Sequence, residues 1–223
     1  MNPSTVIPAT PSSPLRHYKF AFFVQVSPTV ILTELTEYDR DDLVAILQDQ
    51  TIHQNTLVLP NPYKPADFDW WLAHCRATAT RQKRHLKYAI RDATSLRIIG
   101  STGFHDVDWV KDVDGEVVEL GEGKRPWKVE LGYYLSSEYR GRGIMPAVIA
   151  KLLELAFTTF HLARVSAIIF AHNAPSGRVL EKCGFTFEGT LRKWHRKDGA
   201  LIDAKVYCIL KEEWEERRGG TAA

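Results

Sequence analysis

Cysteine is scarce in this chain: Cys75, Cys183 and Cys208 are the only three among 223 residues. They have neither metal-ligand nor redox spacing, and an odd number argues against a disulfide framework, so a reducing, cytoplasmic setting is expected. Long apolar runs are also lacking. No stretch approaches the roughly eighteen residues that cross a bilayer. Residues 18–26 are apolar enough for a short signal core, but the segment before them is rich in proline and serine and poor in positive charge. Residues 1–17 are therefore read as a disordered arm, with the apolar part lying on the domain. A dominant charge sign is missing too. Lys+Arg number 29 against 27 Asp+Glu, a formal charge of +2, so no general field for nucleic acid or an acidic membrane is expected. There is no internal repeat, no G-x-x-x-x-G-K-[ST] and no G-x-G-x-x-G. What is left is enough chain for one α/β domain, placed at residues 18–215 with a loose tail at 216–223.

The stretch that organises this domain is V-E-L-G-Y-Y-L-S-S-E-Y-R-G-R-G-I-M, Val129 to Met145. Val129 to Leu135 reads as a buried strand, because β-branched and aromatic residues crowd a short run whose one charge is Glu130. Arg140, Gly141, Arg142 and Gly143 then make a tight turn, and Pro146 is expected at the first position of a long apolar helix. A strand, a glycine turn and a helix start together present unpaired N–H groups with a helix dipole behind them, which suits a phosphate. A plain solvated turn fits the R-G-x-G pattern alone equally well.

Along the chain, Val30 to Leu35 reads as the first strand. A helix follows, capped by Asp39 or Asp41 and carrying Leu43, Val44, Ile46 and Leu47 on one face. After a proline-rich loop a second helix starts at Ala66 and holds Phe68, Trp70, Trp71 and Leu72. Leu86–Arg91 and Leu96–Phe104 read as antiparallel strands, and Gly100 and Gly103 predict a bulge or a close approach. Residues 106–127 read as a long charged connection, functional or a small added hairpin. Ala163–Phe170 is a further strand, followed by His172-Asn173-Ala174-Pro175-Ser176 and a short helix stopped at Gly184. Phe187–Arg196 and Leu201–Leu210 form a hairpin turning at Asp198-Gly199, with Cys208 on its core face. Residues 211–218 predict a charged terminal turn or short helix.

The run R-G-R-G-I-M, followed by H-N-A-P-S-G-R-V-L-E-K-C-G-F and E-G-T-L-R-K, resembles the GNAT superfamily of acetyl-CoA-dependent N-acetyltransferases. Within it the likeness is to the branch of Rim-type ribosomal-protein N-acetyltransferases and many small-amine enzymes. The resemblance implies an α/β (α+β) fold: a mixed, mostly antiparallel central sheet flanked by helices, with splayed central strands. It implies acetyl-CoA as cosubstrate and no metal. The coenzyme would meet Gly141, Gly143, Ile144 and Met145, where Met145 stands in place of the more usual Gly or Ala. Tyr134 and Leu135 would bond the pantetheine through their backbone, and an N–H near Leu135 would polarise the acetyl carbonyl. Arg140, Arg142, Arg178 and Lys182 are candidate phosphate partners or ordinary surface charge.

The acceptor pocket would be walled by the first helix pair, which brings in His53, Tyr63 and Trp70, although Trp70 and Trp71 also suit packing. Glu130 is the candidate base, since burial raises a carboxyl pKa, or else half of a salt bridge. The superfamily's tyrosine in the helix after the second strand is missing from Arg178–Cys183. Ser176, or a water held by Asn173, is left to protonate the thiolate, while both residue types also serve as helix caps. The expected reaction is direct acetyl transfer to a primary amine of a small molecule or amino acid. A protein N-terminal α-amine is the alternative acceptor, and a non-catalytic acyl-CoA-binding regulatory module is the alternative class. A monomer or homodimer is expected, without membrane or nucleic-acid partners.

Overall fold

The structure, a computed structural model, describes residues 19–109 and 126–219. Its centre is one eight-stranded sheet ordered β1-β2-β3-β4-β5-β6-β8-β7. The strands are β1 (Phe23–Ser27), β2 (Val30–Thr33), β3 (Lys87–Asp92), β4 (Ile98–Trp109), β5 (Pro126–Leu135), β6 (Arg164–Phe170), β7 (Thr186–Lys197) and β8 (Ala200–Leu210). Every neighbouring pair is antiparallel except β5 and β6. The apolar run expected to lie on the domain leads into edge strand β1 from Phe23, with Val24 opposite Leu32.

The single parallel pair makes the functional opening. It holds only at Lys128↔Arg164, Val129↔Val165 and Glu130↔Ser166, after which β5 continues to Leu135 and β6 to Phe170 without pairing. Parallel strands separated in this way leave backbone groups facing a wedge-shaped gap, because no neighbour completes the ladder.

Helices cover both faces. On one, α4 (Ile144–Glu154) buries Val148, Ile149, Leu152 and Leu153 against Val129, Leu131 and Leu135. On the other, α1 (Arg40–Ile46) and α3 (Pro65–Gln82) bury Leu43, Phe68 and Leu72 with Ala89 and Ile98. A short helix α2 (Gln50–Gln54) lies between them, α5 (Ala174–Lys182) follows β6, and α6 (Lys211–Gly219) closes the described chain. The α1 side is pinned by a buried ion pair: Arg91 Nη2 meets Asp39 Oδ2 at 2.7 Å while its Nε donates to Thr33 Oγ1 at 2.7 Å. Asp39 in turn accepts from the Thr36 N–H at 2.7 Å, so the guanidinium and a helix-start capping box share one carboxylate.

Three expectations need adjusting. Helix α4 starts at Ile144, so Pro146 is its third residue; the whole first turn lacks intrahelical acceptors for its N–H groups, and a proline costs nothing there. The connection expected at 106–127 is shorter, because β4 runs to Trp109 and β5 begins at Pro126; residues 110–125 lie outside the described residues, as do the 1–17 arm and everything beyond Gly219. Residues 216–219 complete α6 instead of starting a loose tail. Tyr207 of β8 is 4% exposed, and its hydroxyl donates to Glu181 on α5 at 3.3 Å. The Asp198-Gly199 turn is as expected, both residues having positive φ, 49° and 81°.

Candidate active site

The wedge between β5 and β6 opens into a cleft of about 620 Å³. Tyr134, Leu135, Arg140, Gly141, Gly143, Ile144, Met145, Asn173, Ser176, Arg178 and Lys182 all line it, so expected contacts far apart in the sequence meet at one place. Gly141 and Gly143 both have φ of 74°, a left-handed backbone that L side chains rarely adopt, and nothing stands within 4 Å of where a Cβ would be. The turn is thus open where side chains at these two positions would stand. Among the described residues no hydrogen bond engages the N–H groups of Gly141, Arg142, Gly143, Ile144 or Met145. The Met145 side chain is 7% exposed and packs into the α4 core, which leaves only its backbone at the turn.

Two expected cofactor contacts are placed differently. Arg140 is spent on protein acceptors: Nε donates to Leu135 O at 3.0 Å, Nη1 to Thr51 Oγ1 at 2.6 Å and Nη2 to Asp49 Oδ2 at 2.8 Å. It ties α2 across the end of β5. Arg142 does not line the cleft; its guanidinium lies 5.3 Å over the Tyr139 ring. Strand parity also separates the two tyrosines. The Ser136 N–H donates to Ile99 O at 2.8 Å, so the backbone groups of Gly132 and Tyr134 turn to β4 and those of Leu131, Tyr133 and Leu135 turn to the wedge. The backbone partner of Leu135 is therefore Tyr133, and Tyr134 contributes its side chain.

Tyr133 was missed for a second role. Its hydroxyl lies 2.7 Å from Ser176 Oγ, so β5 brings a phenol to the start of the helix whose Arg178–Cys183 stretch lacks one. Burial pushes the Tyr133 hydroxyl well above the usual phenol range, which keeps it protonated. Ser176 is also the N–H that Asn173 caps, at 3.3 Å, so Asn173 is committed to the helix start. Asn55 was missed as well. Its Nδ2 donates to Thr51 O at 2.7 Å, while its buried Oδ1, at the cleft, has no hydrogen-bond partner among the described residues.

On the opposite face of β5, Glu130 is mostly covered, its side chain 18% exposed. Burial, and then the Asp106 carboxylate, push its pKa up from 4.5 to about 7, against the Ile168 backbone N–H and Lys87, which favour the anion. Its neighbours were not foreseen. His105 Nε2 lies 3.9 Å from Glu130 Oε1, and His105 Nδ1 lies 3.1 Å from Asp106 Oδ2. Asp106 sits in a bulge of β4 with φ of 46°, which turns its carboxylate toward the histidine beside it. These three have the donor types of a metal site, one ligand atom each within 4.8 Å of one another. Lys87 approaches from β3, its stem lying where a Cβ on Gly103 would meet Lys87 Cδ at 2.9 Å, and its positive charge opposes a cation there.

The expected acceptor contacts scatter. His53 Nε2 pairs with Asp198 Oδ2 at 3.2 Å, joining α2 to the β7–β8 turn. Tyr63 is buried, 4% exposed, in the α1–α3 core, and Trp70 is 67% exposed on α3, where it stacks on Trp71 and His74. None of the three lines the cleft.

The family model for the acetyltransferase (GNAT) domain matches residues 29–186, most of the chain. The chain belongs to the GNAT acetyltransferase family. It is similar to YoaA of Bacillus subtilis, an uncharacterized N-acetyltransferase, at 30% identity over 135 residues, 60% of this chain and 68% of that one. It is also 29% identical over 105 residues to the L-amino acid N-acetyltransferase AaaT of Escherichia coli, covering 44% of this chain and 65% of AaaT. In fold it is similar to Mycobacterium smegmatis RimJ in complex with CoA-disulfide: TM-score 0.66, 24% identity, covering 82% of this chain and 83% of RimJ. As a GNAT member this protein is an acetyl-CoA-dependent N-acetyltransferase, and its mixed sheet with one parted parallel pair is the fold expected. No helix among the described residues is long and apolar enough to cross a membrane.

Proposed function

We propose that this GNAT enzyme binds acetyl-CoA in the β5–β6 wedge and acetylates the primary amine of a small molecule or amino acid. The observation that carries the reading is the pairing of two things on one strand: unengaged amides from Gly141 to Met145 at its end, and a covered carboxylate near pKa 7, Glu130, where the wedge begins. The diphosphate suits the amides and the dipole of α4, with Arg178 and Lys182 nearby. The amide N–H groups of pantetheine suit the orphan Asn55 Oδ1 and the wedge-facing backbone of Tyr133 and Leu135.

Three steps follow from this chain's residues. A wedge-facing N–H of Tyr133 or Leu135 takes the charge that develops on the carbonyl oxygen. Glu130 takes the amine proton; Tyr133 lies three residues further along, about 10 Å of strand, so the transfer passes through water. The Ser176 hydroxyl, backed by Tyr133, protonates the departing thiolate. Direct transfer is favoured over an acyl-enzyme because burial pushes Cys75 and Cys208 up to about 12 and Cys183 up to about 11, leaving little thiolate.

The test is thiol release from acetyl-CoA against amines, amino acids and N-terminal peptides. Saturable turnover on small amines or amino acids supports the proposal. Turnover only on peptides moves the acceptor to protein N-termini, and coenzyme binding with no turnover on any amine makes the protein a regulatory binder.

A further inference from the structure

Glu130 can serve as a base once per turnover only if it loses its proton again, and the coenzyme and acceptor cover the side on which it gained it. From its geometry we infer that His105, held by Asp106, is the route by which that proton leaves. The inference rests on the Glu130 reading above and adds a second group to it. The three side chains run from inside to outside: Glu130 is 18% exposed, His105 39% and Asp106 79%. The imidazole lies between the carboxylates, Nε2 toward Glu130 at 3.9 Å and Nδ1 toward Asp106 at 3.1 Å.

Two departures from regular sheet produce this line. The first is the β4 bulge, which gives Asp106 a left-handed φ of 46°, uncommon for a residue with a side chain, and brings its carboxylate to His105 Nδ1. The second is Gly132 on β5. A Cβ there would stand 2.8 Å from His105 Nε2 and displace the ring, so glycine leaves the imidazole its place beside Glu130. Backbone strain at one residue and a missing side chain at another serve the same contact, which a surface histidine would not need.

The proton balance is simple. Nε2 lies 3.9 Å from the carboxyl, so the Glu130 proton reaches neutral His105 through one water or after the two side chains close to hydrogen-bond distance. The ring becomes imidazolium and releases one proton from Nδ1 to Asp106 or to water; Glu130 is again a carboxylate, and exchange of the remaining Nε2 proton with water restores the Nδ1–H tautomer for the next turnover. The Asp106 carboxylate accepts the Nδ1–H and so leaves the Nε2 lone pair toward Glu130. Among the described residues, the charged groups around the ring are Asp106 on β4, Glu130 on β5 and Lys87 on β3, with Cys75 of α3 beyond Lys87. Burial first and Lys87 second hold His105 below the usual imidazole range, so it is neutral and ready to accept near pH 7.

The test is steady-state turnover of a strongly basic amine by wild type and His105→Ala, with EDTA throughout and with imidazole added in steps. A loss of about tenfold or more in kcat, restored saturably by imidazole and accompanied by unchanged acetyl-CoA affinity, is the expected result. Asp106→Asn should show a smaller loss of the same kind. Unchanged kcat in His105→Ala overturns the route, and so does a loss that imidazole does not relieve. If His105→Ala no longer binds acetyl-CoA, its fold is damaged and His105→Gln is measured in the same way; its full activity would equally overturn the route. A wild type that turns over no amine sinks the Glu130 reading itself and the route with it, whereas an active wild type matched by its variants sinks the route alone.

Discussion

The two faces of β5 are built differently. The coenzyme side draws on three short runs of chain, residues 51–56, 133–145 and 173–182, with a turn whose glycines are both left-handed. The amine side is assembled across β3, β4 and β5, from Lys87, His105, Asp106 and Glu130, and depends on a bulge and on absent side chains at Gly103 and Gly132. In the function proposed, one side recognises a large fixed ligand through backbone, and the other handles a proton through side chains. Backbone recognition tolerates side-chain change, as Met145 illustrates by turning into the core; side-chain chemistry does not.

That contrast predicts a graded set of losses. The largest is expected for Gly143→Val. A β-branched residue at φ of 74° cannot keep the turn, so acetyl-CoA affinity measured by calorimetry should fall about a hundredfold or more while the circular dichroism spectrum stays folded. Surviving affinity would mean that the turn does not hold the diphosphate. Next is Glu130→Gln, which should lower kcat by about 10²- to 10⁴-fold and leave coenzyme affinity alone. Wild-type kcat should rise with pH through about 7 as Glu130 ionises, and that rise should be missing in the variant. A coenzyme-binding defect in Glu130→Gln would erase the division between the faces.

The same substitution sharpens the comparison through stability. The Glu130 pKa is raised from 4.5 to about 7 on folding, so the uncharged form is favoured; its contribution is intact below 4.5 and is lost as pH rises through 7. The span corresponds to roughly 3 kcal/mol at most. Glu130→Gln should therefore melt higher than wild type at pH 8, with the gain shrinking toward pH 4.5. No gain at pH 8 would show that the carboxylate is not held at a cost. Smaller still is Ser176→Ala, for which about a tenfold loss in kcat is expected, with Tyr133→Phe alike because the two hydroxyls are 2.7 Å apart. Unequal behaviour would separate them. The smallest is Trp70→Ala: the ring is 67% exposed and outside the cleft, so stability should move by no more than about 0.5 kcal/mol and acceptor KM should not change.

The same division explains what could be read from the chain beforehand. The turn at Arg140–Met145 was legible because its glycines and the helix after them are contiguous, and the lone charge in Val129–Leu135 marked Glu130. His105 and Asp106 follow directly on the strand read as ending at Phe104, but a bulge has no spacing signature, so Asp106 reads as the start of the long connection and His105 carries no role in the sequence. Gly103 and Gly132 are opposite one another only through β4–β5 register, which no local pattern reveals. Arg140 shows the reverse: an arginine beside a phosphate turn has the right type and place, yet Asp49, Thr51 and Leu135 O occupy it, and those contacts are long-range or depend on strand ends. Tyr133 could have been found by parity, since period two puts it on the face of Leu131 and away from Tyr134.

The most direct test of the account is an amide-resolved NMR titration of the ¹⁵N-labelled protein with acetyl-CoA. The N–H resonances of Gly141, Arg142, Gly143, Ile144 and Met145, together with Tyr133 and Leu135, should move saturably and with one affinity. Resonances that shift elsewhere while those seven stay in place would contradict it.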